Sequence, residues 1–153
     1  MMNNKFDNID KLELELAIFV RRAEATRIAF LKYRDLNRSI YLLLLSIEKF
    51  GPISIKSLAD QFQLDISTMS RQTSSLEAKG FIKRASDAKD ARISLFEITT
   101  IGIEQLTEVK SERRLFYTEF LKDWSDEDKT QFTELLKKFN HTAENFKKNH
   151  KKT

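Results

Sequence analysis

Apolar residues near the N-terminus recur every three or four positions, the spacing that places side chains on one face of an α-helix. This pattern predicts a long first helix over residues 8–34. Its stripe consists of Ile9, Leu12, Leu16, Phe19, Ala23, Thr26, Phe30 and Tyr33. A second apolar set lies off that stripe and consists of Leu14, Ile18, Ala25 and Ile28. Because one monomer core rarely covers both faces of a terminal helix, the pattern indicates a subunit interface.

Three more helices are predicted after a break at residues 35–38. A second helix is predicted over about 39–49, where the stretch IYLLLLSIEKF indicates an almost wholly buried helix that ends at Gly51-Pro52, since proline cannot continue a helix. Ser54 is placed to cap a short helix over 55–62, and Asp65 is placed to cap a helix over 66–79. The inward stripe of that last helix is expected to hold Ile66, Met69, Thr73 and Leu76.

Two short segments then alternate apolar and polar residues as half-buried strands do. Residues 81–84 and 93–98 are the predicted strands, and the charged turn 85–92 joins them. A fifth helix is predicted over 100–122, and a sixth begins at Ser125, with Asp128 three residues later as in a capping box. The expected fold class is mainly α with a small β-wing. We expect residues 1–153 to form one domain, in which a winged helix-turn-helix over 36–99 lies between dimerisation helices over 8–34 and 100–148.

Composition and charge narrow the class of protein. The chain has no cysteine, which excludes disulfides, thiol redox sensing and thiolate zinc sites. It has no run of 18 apolar residues and no apolar segment behind a basic N-terminus, so we expect no membrane span, no signal peptide and a cytoplasmic location. The net charge of +4 indicates a polyanionic partner only weakly. More telling is the segment 66–92, which carries six basic and three acidic residues.

The predicted helix over 66–79 has an outer face suited to DNA. At 100° per residue, the side opposite the apolar stripe carries small hydroxyls and one arginine, which let a helix approach the floor of a groove. The candidate DNA-binding residues are Ser67, Thr68, Ser70, Arg71, Ser74 and Ser75. Arg71 is the first choice for a base or phosphate contact, because arginine can bond two acceptors of guanine. The alternatives are a salt bridge from Arg71 to the acidic wing and hydroxyls that are merely solvated.

The predicted wing adds a second set of candidate DNA-binding residues: Lys83, Arg84, Lys89, Asp90 and Arg92. Arg92 suits insertion into the minor groove, whose negative potential attracts arginine. The alternative is a purely structural pair between Arg92 and Asp90. Asp90 is expected to orient Arg92 or Arg71, and the other three bases would add attraction to phosphates that does not depend on sequence.

Several motifs together resemble the MarR family of bacterial winged-helix transcriptional regulators. Ser57-Leu58-Ala59 is similar to the family's x-L-A helix, and residues 67–71 to its recognition helix. Residues 76–84 match the LE-x-x-G-h-h-x-R exit, residues 87–92 the D-x-x-D-x-R wing, and residues 98–102 the L-T-x-x-G start of the next helix. The wing departs from the pattern at Ala91, where relatives often have arginine or glycine, and it lacks proline. Wing rigidity or affinity is therefore expected to differ from a typical member.

The resemblance implies a homodimer, held through its terminal helices, that binds a pseudo-palindromic operator in double-stranded DNA, with repression as the expected mode. It also implies a small aromatic or phenolic ligand between the dimerisation helices and the winged unit. Candidate ligand-binding residues are Phe19, Phe30, Tyr33, Tyr41 and Phe50. The alternative for each is ordinary core packing, which is the usual role of aromatic stripes at helical spacing. No cofactor and no metal are predicted.

Two other classes of function compete with a DNA-binding regulator. A winged-helix protein-interaction module without DNA binding is the alternative, but an interaction surface favours exposed apolar or aromatic groups over a serine and arginine face. An enzyme is not expected. The chain has no glycine-rich phosphate loop, no cysteine nucleophile, no HExxH motif and no histidine near a plausible serine and acid pair.

Overall fold

A computed structural model describes residues 3–31 and 38–150, with side chains for residues 8–26 and 39–150. In chain order the elements are α1 (Asn3–Leu31), α2 (Arg38–Phe50), β1 (Ile53–Ser54), α3 (Ile55–Phe62), α4 (Ile66–Ala78), β2 (Ile82–Ser86), β3 (Ser94–Ile98), α5 (Thr100–Phe120) and α6 (Asp126–His150). The predicted fold class, mainly α with a small β-wing, is confirmed. The chain divides into two compact units, Met1–Val109 and Lys110–Thr153. That one domain spans the whole chain stays a prediction.

The core of the first unit is built on α2. Leu43, Leu44 and Ile47 are almost completely buried, and they pack with apolar residues of α3, α4 and the sheet. Leu42 and Phe50 are about half exposed, so the prediction of an almost wholly buried helix was wrong at these two positions. A single helix presents only one face to a core of this size, and both residues lie off that face.

Two capped helices follow and form the helix-turn-helix. Ser54 caps α3 by accepting a hydrogen bond from the Ser57 backbone amide at 3.1 Å, as its position predicts. Gln63 has the left-handed conformation, with φ of 52°, and ends the helix. In α4, Met69, Thr73 and Leu76 are buried as predicted, but Ile66 is 54% exposed. The predicted inward position of Ile66 was wrong. Met69 is the first residue of α4 that reaches the core, and the first turn of the helix lies beyond the core.

Gly80 marks the exit from α4. Its φ of +75° lies in the left-handed region, which glycine adopts without steric cost. The Phe81 amide then donates to the Leu76 carbonyl at 3.0 Å, which closes the end of the helix. This conformation turns the chain directly into β2.

The sheet has three antiparallel strands in the order β1-β3-β2. In β2 and β3, Arg84 lies opposite Phe96, and the pairing continues to Ser86 opposite Ser94. The observed β2 is therefore longer at its wing end than the predicted 81–84, because backbone pairing with β3 persists past the alternating stretch. Ile93, predicted to begin β3, lies in the turn instead.

The start of α5 is tied to the exit of α4. The Thr99 hydroxyl donates to the Gly80 carbonyl at 2.6 Å and accepts from the Gly102 amide at 3.1 Å. Gly102 is buried, and a Cβ built on it would lie only 2.1 Å from the Phe81 carbonyl oxygen. A glycine is therefore required where this helix crosses the beginning of β2.

The second unit contains the end of α5 and all of α6. Ser125 and Asp128 form the reciprocal capping box that the sequence predicts: the Asp128 amide donates to Ser125 Oγ at 3.0 Å and the Ser125 amide donates to the Asp128 carboxylate at 3.4 Å. Trp124 and Phe132 pack edge to face with ring centroids 5.5 Å apart. No residue of α6 is buried.

Candidate DNA-binding surface

The N-terminus of α4 is organised around Asp65, its N-cap. One Asp65 carboxylate oxygen accepts from the Thr68 amide at 2.8 Å, and the other accepts from the Thr68 hydroxyl at 2.7 Å. The Ser67 hydroxyl also donates to this carboxylate. These bonds hold the pKa of Asp65 well below its usual range, and the bond from Ser67 has the largest effect on it. The carboxylate therefore stays ionised near neutral pH. Since both hydroxyl protons are already donated, Ser67 and Thr68 offer lone pairs to a ligand.

Arg71 is held at the exposed side of α4. Its Nη2 donates to the Thr68 hydroxyl oxygen at 3.3 Å, one turn nearer the N-terminus of the helix. Thr68 thereby connects the Asp65 carboxylate to the Arg71 guanidinium. The arrangement orients Arg71 along the helix and leaves other N–H groups of its planar fork for an external acceptor.

The remaining hydroxyls of α4 divide by burial. Ser74 and Ser75 are exposed on the same side of the helix as Arg71, and Ser70 is half-buried. Thr73 is buried, and its hydroxyl donates to the Met69 and Ser70 carbonyls at 3.0 and 3.1 Å. The predicted polar face of α4 therefore exists as a continuous surface of small side chains with one arginine.

The wing turn between β2 and β3 is closed by backbone hydrogen bonds. The Asp87 amide donates to the Ile93 carbonyl and the Ile93 amide donates to the Asp90 carbonyl, both at 3.0 Å. The Asp87 carboxylate accepts from the Lys89 amide at 2.7 Å. The Asp90 carboxylate accepts from the Arg92 amide in the same way. Aspartates that bond the backbone two residues ahead are common in tight turns, so both acids of the wing motif shape the loop.

Asp90 also holds the wing arginine. The sequence left open whether Asp90 orients Arg71 or Arg92, and the structure pairs it with Arg92. Arg92 Nε and Nη2 lie 3.2 and 3.4 Å from the two carboxylate oxygens of Asp90, and the Arg92 amide donates to the same carboxylate at 3.0 Å. The bonds from Arg92 lower the pKa of Asp90 below its usual value. The Arg92 side chain is nevertheless 92% exposed. It is thus oriented at one edge and open to a ligand elsewhere.

The other bases of the wing differ in their surroundings. Lys83 forms an ion pair with Glu97 on the neighbouring strand at 3.5 Å, and Lys89 is exposed at the turn. Arg84 is bound to Glu77 of α4 at 2.9 Å. The three bases therefore do not form one uniform basic patch, although contacts from each to DNA stay a prediction.

Four acids take part in this surface but were not among the predicted site residues: Asp65, Glu77, Asp87 and Glu97. Asp65 was expected only to cap α4, whereas it also orients Ser67 and Thr68. Glu77 had no predicted role. A signal was present for Asp65, in the hydroxyl residues two and three positions after the cap, whereas the pairing of Glu77 with Arg84 depends on how β2 meets α4.

Three of the candidate ligand-binding aromatics have described side chains. Phe19 is about half exposed on α1, Tyr41 is partly buried against the core, and Phe50 lies under the ammonium of Lys49 at 5.1 Å from the ring centroid. Tyr33 and the side chain of Phe30 lie outside the described residues. A shared ligand site stays a prediction.

Metal-binding groups and membrane-spanning helices are both absent from the described residues. Within residues 3–31 and 38–150, no three histidine or acidic side chains come together in a group that could hold a metal ion. Among the helices described, none has the length and apolar character required to cross a bilayer.

Comparison with known proteins identifies the family. The model of the MarR family matches residues 36–94, which hold the helix-turn-helix and most of the wing. The uncharacterized HTH-type transcriptional regulator YxaD of Bacillus subtilis is 45% identical over 133 residues, which make up 86% of this chain and 92% of YxaD. The chain belongs to the MarR family. The MarR-type resemblance predicted from the motifs is confirmed.

Solved structures agree at the level of the fold. The transcriptional regulator BldR from Sulfolobus solfataricus is 26% identical, with a TM-score of 0.70 over 93% of this chain and 99% of BldR. The PcaV transcriptional regulator from Streptomyces coelicolor, solved in complex with its natural ligand, is 18% identical, with a TM-score of 0.69 over 82% of this chain and 91% of PcaV. This MarR-family chain is a transcriptional regulator with a DNA-binding helix-turn-helix, and it is not an enzyme.

Proposed function

We propose that this MarR-family protein is a homodimeric repressor that acts in the bacterial cytoplasm and binds a pseudo-palindromic operator. The observation that carries the proposal is the orientation of two arginines, Arg71 by Thr68 and Arg92 by Asp90, on the helix and the wing of one winged unit. A twofold dimer presents two such units, with recognition helices about 34 Å apart in successive major grooves.

In this proposal α4 contacts the major groove. Arg71 donates to guanine or to a phosphate, and the exposed hydroxyls of Ser74 and Ser75 add polar contacts at the groove edge. Ser67 and Thr68, whose protons are donated to Asp65, accept from base amino groups rather than donate to phosphates. Adenine and cytosine present such amino groups in the major groove.

The wing contacts the neighbouring minor groove. Arg92 extends into solvent while Asp90 holds one edge of its guanidinium, so the side chain is already oriented before DNA binds. A narrow minor groove attracts arginine through its negative potential. Lys83 and Lys89 add attraction to the phosphate backbone, which does not depend on base sequence.

Uncovered apolar surface supports the dimer. On α1 between residues 8 and 26, every side chain is exposed except Leu16 and Thr26, so neither of its two apolar faces is covered. Four large residues of the α6 stripe are exposed as well: Phe132, Leu135, Phe139 and Phe146. Full burial of a large apolar side chain stabilises by about 1.5–3 kcal/mol. A second copy that covers these stripes would supply a substantial association energy.

The dimer is tested by the oligomeric state of a charge variant. We expect Leu135→Lys to shift analytical ultracentrifugation profiles toward monomer at micromolar concentration, since Leu135 is 64% exposed on the α6 stripe. Thr130→Lys is the matched control, because it adds the same charge at an exposed position on the side of α6 opposite the apolar stripe. A wild-type chain that sediments as a monomer would refute the dimer.

A small aromatic or phenolic ligand is proposed to modulate operator binding. Support comes from the partly exposed aromatic residues of α1 and α2 and from PcaV, a fold relative solved with its natural ligand. The test is a panel of phenols and benzoates added to the operator complex. At least one should release DNA at a concentration that leaves the melting temperature of the free protein unreduced, and no release by any member would count against the proposal.

The DNA proposal is tested by selecting bound sequences from random duplexes and measuring their affinity at several salt concentrations. We expect an enriched inverted repeat and a steep fall of log K with log [salt], about 0.9 for each phosphate that the protein neutralises. Enrichment of a single half-site would contradict the twofold mode of binding. A slope near zero would contradict DNA binding through the basic wing.

A further inference from the structure

Arg84 differs from the other bases of the wing in the face of the sheet that it occupies. Side chains alternate between the two faces of a strand, and residues opposite each other on paired strands share a face. Arg84 lies opposite Phe96, and Ile82 lies opposite Ile98 on the same side. Ile82 and Phe96 are 2% and 1% exposed, so this is the core-facing side of the sheet. Lys83 and Glu97 pair on the other face.

The guanidinium of Arg84 has two partners that lie far apart in the chain. Its Nε is 2.9 and 3.2 Å from the two carboxylate oxygens of Glu77, in the last turns of α4. Its Cζ lies 5.2 Å from the centroid of the Phe96 ring, within the range of a cation–π contact. Arg84 therefore joins the C-terminal part of the recognition helix to the strand that leads into the wing.

The geometry points to Arg84 as a positioning residue, which fixes the recognition helix against the wing so that Arg71 and Arg92 meet adjacent grooves together. This role replaces the phosphate contact expected for Arg84 from the sequence, and it rests on the proposed operator binding. Arg84 Nε donates to both oxygens of Glu77 while Cζ of the same planar group lies within cation–π range of Phe96, and a lysine ammonium, which places its charge on one nitrogen, does not reproduce both contacts together. The Arg84 side chain is about half exposed and that of Glu77 about one third, so the pair adds little to global stability.

The test compares Arg84→Gln, Glu77→Gln and the double variant on the selected operator. We expect each single variant to bind at least about fivefold more weakly, the lower end of what one bidentate base contact contributes. The double variant should be no weaker than Arg84→Gln alone, because both changes remove the same link. The salt slope should match that of the wild type, and melting temperatures should stay close to the wild-type value.

A phosphate contact by Arg84 gives a different pattern, which would overturn the inference. Arg84→Gln would then reduce the salt slope by about 1.8 for a dimer, two contacts at about 0.9 each, and Glu77→Gln would tighten binding by releasing the arginine. Glu104→Gln is the matched control, because it removes the same charge from an exposed position of α5 that pairs with none of the proposed DNA-binding bases. Affinity changes are therefore compared with that variant and not only with the wild type.

Arg84→Lys separates geometry from charge. It keeps the positive charge but loses the planar group that contacts Glu77 and Phe96 together, so we expect it to bind as weakly as Arg84→Gln. Full operator affinity in Arg84→Lys would overturn the positioning role. Failure of the inference is distinct from failure of the proposed function: in the first case the wild type still binds a selected operator with a steep salt slope, and in the second it does not.

Discussion

Substitution of Gly102 by alanine has two opposite effects on stability: a gain in helix propensity and a steric clash of the new Cβ. In a free helix, alanine is about 1 kcal/mol more favourable than glycine. At Gly102, however, the new Cβ would lie 2.1 Å from the Phe81 carbonyl oxygen and 2.8 Å from Ile98 Cγ1. The first distance is 1.3 Å shorter than the 3.4 Å at which ordinary contact begins. The nearest neighbour is backbone and cannot move away by rotating a side chain.

We expect the cost of the clash to exceed the gain in helix propensity, so that Gly102→Ala destabilises the fold. The Phe81 carbonyl also accepts from the Thr99 amide at 3.0 Å, so a displacement that relieves the Cβ disturbs the hydrogen bond at the start of α5. Overpacking of this kind costs about 1–3 kcal/mol, and a backbone neighbour places Gly102→Ala near the upper end. After the gain in helix propensity, the net destabilisation is about 1–2 kcal/mol. For a chain of this length that lowers the melting temperature by about 2–8 °C.

The assay is thermal and urea unfolding followed by circular dichroism, with Glu104→Ala as the control at an exposed position of the same helix. Exposed substitutions of that kind change stability by less than about 0.5 kcal/mol. A melting temperature that rises in Gly102→Ala would show that α5 moves away from β2 without cost, and would refute the requirement for glycine.

Four further outcomes are expected. Arg92→Ala should weaken operator binding in a gel shift at least tenfold, about 1.4 kcal/mol, and unchanged affinity would show that the wing makes no useful contact. Arg71→Ala should reduce the ratio of specific to random DNA binding, whereas equal losses on both would assign Arg71 to phosphates. Leu76→Ala removes a fully buried side chain and should cost about 2–5 kcal/mol in urea unfolding; a loss below 1 kcal/mol would contradict its place in the core. Since Asp65 and Asp90 have lowered pKa values, their stabilisation is present above the ordinary value of 3.8 and is lost as pH falls through the folded-state pKa. Melting temperature should therefore not drop on their account between pH 8 and pH 5, and a drop confined to the wild type but absent in Asp65→Asn would contradict this.

The helices and their caps follow from short stretches of sequence. Ser54, Asp65 and the Ser125–Asp128 pair all act as the sequence predicts, because a cap needs only a side chain and an amide two or three residues away. Apolar spacing located the helices and the wing for a similar reason. The errors at Leu42, Phe50 and Ile66 arose because the spacing shows which face is apolar and does not show how far the core extends along it.

In the candidate site, too, contacts between residues close in sequence could be predicted and contacts between different elements could not. The pair of Asp90 with Arg92 could be expected from the sequence, since two residues separate them in a tight turn. The bond of Arg84 to Glu77 and the contact of Gly102 with Phe81 could not, because each depends on how β2 meets α4 or α5. The sequence alone determined the family, the winged fold and the residues that face outward on α4. Tertiary structure decided which of the basic side chains are already paired, because strand register and long-range packing, not spacing along the chain, bring opposite charges together.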